Sequence, residues 1–167
     1  MTRLNELLND EKSIFVFDVD GVLAKMEFGD GNNHYFKSDP GVDSDIAFSR
    51  AIVRGHNFYT DDLLNKTLQS FIAKKDNKKI YVLSRCYTEE EQKLKDDFLL
   101  RNYNVIKDNI MYTESYQDKL DALHLIKKLN PDVDDEHIIM VDDNVDHVLN
   151  YIMDNSNYTT MHISSFM

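Results

Sequence analysis

The sequence predicts an α/β fold in which helices cover both faces of a central parallel sheet of about five strands. Four short apolar segments are rich in Ile, Val and aromatic residues, which is typical of strands buried on both faces. Helical patterns separate these segments, and strands that alternate with helices indicate a parallel sheet. The four segments are residues 14–18, 80–83, 105–111 and 137–141, and a weaker fifth is residues 159–163.

Two helices have clear boundary signals. Thr88 and Glu91 have the spacing of a capping box, which predicts a helix running to about Asn102. Ser115 is a suitable N-cap for a helix through Leu129, in which apolar residues recur at steps of three and four. Both helices follow predicted strands, as the α/β interpretation requires.

The remaining segments complete a single predicted domain over residues 1–167. Residues 145–153 are expected to form a helix, and another is expected to begin at residue 60 or 61 and run through residue 73. Residues 25–36 contain Gly-Asp-Gly-Asn-Asn between two short aromatic arms, which predicts a small β-hairpin. This hairpin and the following helix make residues 24–79 the expected flap and small cap insert.

The composition narrows the classes of function. Hydrophobic residues make up 42% of the chain and charged residues 29%, as in a globular protein. No apolar stretch is long enough to span a bilayer and no secretory signal is evident, so we expect no membrane partner. The single cysteine, Cys86, excludes an internal disulfide and fits a cytoplasmic location. A net charge of −11 makes a long nucleic acid an unfavourable partner.

A set of polar residues is predicted to converge at one edge of the sheet. In an open parallel sheet, ligands bind beyond the carboxyl ends of the strands. Three of the predicted strands end in acidic or hydroxyl side chains, and a lysine lies in the first turns of an intervening helix. The set comprises Asp18, Asp20, Ser84, Lys119, Asp142 and Asp143.

These residue types suit phosphate chemistry. Several carboxylates in one crevice repel each other, so a bound cation is the natural compensation, and oxygen ligands without clustered His or Cys favour Mg²⁺. Asp18 and Asp20 are two residues apart, so both side chains can face one substrate. Lys119 and Ser84 could bind phosphoryl oxygens. Lys107 is a competing lysine, but it interrupts an apolar segment and fits less well.

The sequence resembles the phosphatases of the haloacid dehalogenase (HAD) superfamily over roughly residues 12–165. Residues 14–23 resemble the first motif of that superfamily, and residues 82–84 resemble the second. Lys119 resembles the third motif and residues 138–143 the fourth, all in the order that the family shows. The resemblance implies a three-layer, Rossmann-like fold and a phosphatase of the small-cap or capless type.

The resemblance also implies roles for the matching residues. Asp18 would be the nucleophile that forms an aspartyl-phosphate, and Asp20 would protonate the leaving oxygen and then activate water. Ser84 would hydrogen-bond a phosphoryl oxygen, and Lys119 would neutralise developing charge. Arg85, which follows Ser84, is a further candidate for substrate binding.

The implied cofactor is Mg²⁺. Its ligands would be the carboxylates of Asp18 and Asp142 and the backbone carbonyl of Asp20, with Asp143 bound directly or through water. Asp146 is a further acid nearby, although an exposed place on a helix suits it slightly better.

The expected activity is hydrolysis of a small phosphorylated substrate, with a nucleotide or sugar phosphate as the leading class. Two alternatives remain open. One is a polynucleotide-end (3′) phosphatase, which an open site could accommodate. The other is a non-catalytic HAD-fold module that binds a phosphorylated ligand or a protein, although such a module would not need the second acid at Asp20. The sequence does not define the oligomeric state.

Overall fold

A computed structural model describes residues 3–25, 44–154 and 157–166 of the chain. The predicted hairpin therefore lies outside the described residues, apart from its first residue. Within the described ranges, no helix combines the length and the apolar character that a membrane span requires.

The core of the fold is one sheet of five parallel strands in the order β3-β2-β1-β4-β5. This confirms the predicted α/β class and the expected number of strands. Because β1 is central, the residues that follow it lie between neighbouring strands on both sides. The strands are β1 (Ile14–Phe17), β2 (Ile80–Arg85), β3 (Ile110–Thr113), β4 (Ile138–Asp142) and β5 (Thr159–His162).

Six α-helices accompany the sheet in the described part of the chain: α1 (Arg3–Asn9), α2 (Ser44–Val53), α3 (Lys66–Ile72), α4 (Glu89–Asn102), α5 (Tyr116–Leu129) and α6 (Val145–Met153). The last three were predicted correctly. The Thr88 side chain accepts a hydrogen bond from the backbone N–H of Glu91, and Ser115 forms a full capping box with Asp118. These caps satisfy N–H groups that the first turn of a helix leaves without partners.

Alternate residues of the strands build two hydrophobic layers. Phe15 and Phe17 of β1 lie on one face, in a core that also receives side chains from helices α1 to α4. Ile14 and Val16 lie on the other face, in a core shared with helices α5 and α6. Successive strand residues point to opposite faces, so a strand that is apolar throughout feeds both cores. The layers are therefore helix, sheet and helix, as the Rossmann-like interpretation expects.

The predicted strand over residues 105–111 was wrong at its beginning. Residues Lys107–Asn109 form a 3₁₀ turn, and β3 starts only at Ile110. These three polar residues would have faced the apolar layers in a buried strand. In the turn, the Asn109 side chain instead donates to the backbone carbonyl of Ile80 at the start of β2, at 3.0 Å.

The helix predicted from residue 60 or 61 through residue 73 is divided in two. A short 3₁₀ helix, Asp61–Leu63, is separated from α3 by two residues in extended conformation. Leu64 pairs with Ala24, and the Asn65 side chain caps α3 by accepting from the backbone N–H of Leu68. The Asn65 amide also donates to the backbone carbonyl of Val22, so this break supports the loop that follows β1.

Candidate functional site

The strand order places a crevice at the carboxyl ends of β1 and β4. The chain proceeds from β1 to β2 and β3 on one side, and then crosses back to form β4 on the other side of β1. Such a reversal is the usual ligand site of an open parallel sheet. Asp18 directly follows β1, and Asp142 is the last residue of β4. Both acids are buried.

Lys119 joins these two acids. Its side chain is buried, with 1% of the residue exposed, and its Nζ lies 2.6 Å from Asp18 Oδ2 and 3.4 Å from Asp142 Oδ2. Lysine is rarely buried without a charged partner, so the contacts with these two acids explain why Lys119 can be buried. The competing Lys107 is instead half exposed and pairs with Asp96.

Other donors hold Asp142 in its ionised form. Its Oδ1 accepts from the backbone N–H of Asn144 at 2.9 Å, and its Oδ2 lies 3.4 Å from the Tyr151 hydroxyl and 3.5 Å from His147 Nδ1. Burial works to raise the pKa of Asp142, but the hydrogen bond to His147 and the charge of Lys119 bring that pKa below its ordinary value.

Asp143 borders the same crevice at the solvent side. The residue is exposed as a whole, but its carboxylate points towards Gly21, where an added Cβ would lie 2.1 Å from Asp143 Oδ2. Gly21 also has a positive φ of 75°, which side chains disfavour. Glycine is thus suited to this position for two reasons: it tolerates the positive φ of the turn after β1, and it has no Cβ to collide with Asp143. Asp146, in contrast, is exposed on the first turn of α6.

Asp18, Asp142 and Asp143 form an acidic cluster in which one ligand atom from each residue lies within 4.8 Å of the others. Loss of solvation, with repulsion from Asp18 and Asp142, raises the pKa of Asp143 to about 6. Burial also raises the pKa of Asp18, although Lys119 opposes that rise. One ammonium group does not balance three carboxylates, so the cluster could hold a cation. Its all-oxygen donors fit a hard ion such as Mg²⁺.

Asp20 belongs to a second group of polar side chains beside the acidic cluster. Its Oδ2 accepts from Lys95 Nζ at 2.7 Å, and its Oδ1 accepts from the Tyr59 hydroxyl at 2.9 Å. Lys95 has no exposed surface and also contacts Glu91 Oε1 at 2.8 Å. Burial acts to lower the pKa of Lys95, but the charges of Asp20 and Glu91 outweigh it, so Lys95 stays protonated.

Ser84 and Arg85 lie at the end of β2, next to this second group. The Ser84 hydroxyl is fully buried, accepts from Lys95 Nζ at 3.1 Å and lies 3.4 Å from the carbonyl oxygen of Arg85. That carbonyl also accepts from Lys95, at 2.6 Å. The Arg85 guanidinium lies 5.0 Å from the ring centre of Tyr87. The Ser84 hydroxyl, which was predicted to contact a phosphoryl oxygen, therefore contacts protein groups in this structure.

Lys95 was not identified from the sequence. Glu91, Lys95 and Phe98 lie at steps of four and three on α4, so they share one face of the helix, and all three are buried. An (i, i+4) Glu–Lys pair ordinarily indicates an exposed helix face. The useful signal was the position of this pair on the same stripe as Phe98, which packs in the core.

The structure thus brings the predicted residues together in two adjoining groups. One contains Asp18, Lys119, Asp142 and Asp143, and the other contains Asp20 and Ser84 with the unpredicted Lys95. No family model matches the chain, and no curated protein matches it.

Proposed function

We propose that the protein is a Mg²⁺-dependent phosphomonoester hydrolase of the HAD type that acts through an aspartyl-phosphate on Asp18. The observation that carries this proposal is the buried Lys119, whose Nζ lies 2.6 Å from Asp18 Oδ2 at the edge of the acidic cluster. A buried acid held by a lysine, next to acids that could bind a metal, suits attack on an anionic phosphoryl group.

In this proposal the carboxylates of Asp18, Asp142 and Asp143 and the backbone carbonyl of Asp20 would hold Mg²⁺. The bound ion would neutralise negative charge that the phosphoryl group brings next to Asp18. The carboxylates, including that of Asp143, would be deprotonated when they bind the ion. The shared cation would then offset the repulsion between Asp143 and its acidic neighbours.

Asp18 is suited to the nucleophilic role. The backbone N–H of Val19 donates to its Oδ1 at 2.7 Å and Lys119 donates to its Oδ2, so the carboxylate has a fixed orientation. One carboxylate oxygen attacks phosphorus and forms an O–P bond. The bond from phosphorus to the leaving oxygen breaks, and its electron pair stays on that oxygen. The Lys119 ammonium offsets the charge that gathers on the phosphoryl oxygens.

Asp20 is suited to proton transfer in both halves of the reaction. It gives a proton to the leaving oxygen, and it then takes one from the water that attacks the aspartyl-phosphate and restores Asp18. Its Oδ2 faces the Lys95 ammonium, which can only donate. Its Oδ1 faces the Tyr59 hydroxyl, which can donate or accept. We therefore assign the transferred proton to Oδ1.

Ser84 and Arg85 are proposed to contact the substrate. The Ser84 hydroxyl can turn from the Arg85 carbonyl, a long contact of 3.4 Å, towards a phosphoryl oxygen while it still accepts from Lys95. The substrate class that we propose is a nucleotide or sugar phosphate. The net charge of −11 gives little attraction for a long nucleic acid.

The decisive experiment compares Asp18→Asn with the wild type on an aryl phosphate in the presence of Mg²⁺. We expect turnover to fall by at least about two orders of magnitude, because the nucleophile is lost while the side-chain shape is kept. Asp146→Asn is the matched control, since it makes the same change at an exposed acid in the same region. Retained turnover in Asp18→Asn would exclude the mechanism.

Two further measurements separate the proposal from its alternatives. Mass spectrometry of the quenched wild-type reaction should find a phosphoryl group on the peptide that contains Asp18. A panel of nucleotides, sugar phosphates and 3′-phosphorylated oligonucleotides should show turnover of the small substrates. Preference for the oligonucleotides would identify a polynucleotide-end phosphatase, and binding without turnover of any member would identify a non-catalytic module.

A further inference from the structure

A fully buried lysine that belongs to no predicted motif lies behind the candidate site. Lys95 Nζ is surrounded by four acceptors, which belong to Asp20, Glu91, Ser84 and the Arg85 backbone. An ammonium group has three N–H donors, so these contacts use its full capacity. The lysine therefore joins helix α4, the end of β2 and the loop after β1.

The contact with Asp20 is the one that reaches the crevice. The Asp20 side chain is 27% exposed, whereas those of Lys95 and Glu91 are 0% and 3% exposed. Of these three charged side chains, Asp20 is thus the one that a substrate can approach. Its carboxylate is held at both oxygens, by Lys95 on Oδ2 and by Tyr59 on Oδ1. Two donors on opposite oxygens restrict rotation of the carboxyl group.

Stability alone does not account for this arrangement. Desolvation of buried ions is costly, and replacing such a set by apolar residues is often neutral or stabilising. Lys95 and Glu91 lie on the helix face that carries Phe98, where an apolar residue would pack in the core. The distinctive property of Lys95 is that it connects this core position to Asp20, which is partly exposed.

Building on the proposed phosphatase function, we infer that Lys95 is a positioning residue that fixes the Asp20 carboxyl group for proton transfer to the leaving oxygen. Lys95 is buried behind Asp20, so it acts through Asp20 and does not itself exchange the proton. Its loss should therefore matter most for substrates whose leaving oxygen needs a proton, and least for those whose leaving oxygen departs readily as an anion.

The test measures kcat/KM for a series of phosphate esters, from alkyl and phenyl phosphates to 2,4-dinitrophenyl phosphate. This ratio reports the first chemical step, in which the leaving group departs. For Lys95→Met we expect a loss of about tenfold or more with alkyl and phenyl phosphates, and of less than about threefold with the dinitrophenyl ester, because help from an acid matters most for poor leaving groups. An equal loss across the series, or no loss, would overturn the inference.

A double-mutant cycle with Asp20→Asn tests whether Lys95 acts through Asp20. Asp20→Asn alone should show the same selective loss, and adding Lys95→Met should lower kcat/KM by no more than about twofold further. Additive losses would mean that Lys95 acts by another route, such as Ser84, and would overturn the inference.

A second variant keeps the test decisive if Lys95→Met does not fold. Lys95→Met/Glu91→Met removes both buried charges and places apolar side chains on the face that carries Phe98, which is expected to fold. It should show the same leaving-group dependence as Asp20→Asn, and a uniform loss would again overturn the inference.

The proposed function has a separate test. If Asp18→Asn retains turnover, the mechanism fails, and if only the leaving-group result fails, the role of Lys95 alone is wrong.

Discussion

The two buried lysines of the site, Lys119 and Lys95, differ in how their charge is balanced. Lys119 meets Asp18 and Asp142, with Asp143 completing the same acidic cluster. Lys95 meets two carboxylates, and its remaining contacts are with neutral oxygens. Of the two groups, the one around Lys119 carries the larger excess of negative charge.

The difference in charge balance indicates that two similar side chains have different roles. Burial, together with repulsion between the carboxylates, raises the pKa values of Asp18 and Asp143, and the excess of negative charge favours a site for a cation. A more closely balanced group favours one fixed arrangement of its members. In the proposed function, Lys119 is therefore the lysine that would contact a charged substrate, and Lys95 is the one that would orient Asp20.

The largest expected difference between the two lysines is in the loss of turnover when each is replaced. Lys119→Met should lower kcat on an aryl phosphate by about 10²- to 10³-fold, because a preorganised cation beside the nucleophile is lost. Lys95→Met should lower kcat on an ester with a good leaving group far less. Steady-state kinetics of both variants on 2,4-dinitrophenyl phosphate provides the measurement, and equal losses would show that the two lysines share one role.

The next effect is on stability. Lys95→Met should lower the free energy of unfolding by about 3 kcal/mol or more, because it leaves Glu91 as a buried carboxylate without its partner. The double change Lys95→Met/Glu91→Met should recover most of that loss. Urea denaturation of the three proteins checks this. If the double variant is no more stable than the single one, Glu91 is not the source of the cost.

The smallest effect concerns pH and Mg²⁺. Asp143 has a pKa of about 6 in the folded protein, above the ordinary value of 3.8, so the metal-free folded state binds more protons than the unfolded state between those values. The contribution of Asp143 to the stability of the metal-free protein should therefore fall as the pH rises through that window. Mg²⁺ competes with the proton, so the rise in Tm on adding Mg²⁺ should be larger at about pH 7.5 than at about pH 5.

Asp143→Asn is the matched control for this measurement. It keeps the side-chain shape beside Gly21 but has no proton to lose, so the Mg²⁺-induced rise in Tm should be smaller and should vary less over the same pH range. An unchanged pH dependence in Asp143→Asn would place the titrating group elsewhere in the site.

Much of the fold and one half of the site follow from local patterns in the sequence. Uniformly apolar segments mark strands buried on both faces, and polar residues at the ends of two of them identify Asp18 and Asp142. Lys119 was selected by its place in an ordered set of motifs, because a lone lysine carries no local sign of burial. The structure then shows it between the two acids.

The other half of the site depends on contacts between distant parts of the chain. Tyr59 and Lys95 meet Asp20 across separations of 39 and 75 residues, and no repeating pattern indicates such a meeting. The break before α3 was missed for a similar reason, since Leu64 leaves the helical pattern to pair with Ala24. Helical periodicity depends on one segment at a time and gives no information about the contacts that the segment makes with distant parts of the chain.

The bridge between Ala24 and Leu64 has a consequence for how this protein could diversify. With the adjacent hydrogen bond from the Lys25 N–H to the Leu63 carbonyl, it brings the two ends of the intervening segment side by side. An exchange of that segment for one of different length would leave the sheet connections in place. Tyr59 belongs to the exchanged part and donates a hydrogen bond to Asp20, so a new segment would change the contacts of this proposed proton donor as well as the approach to it.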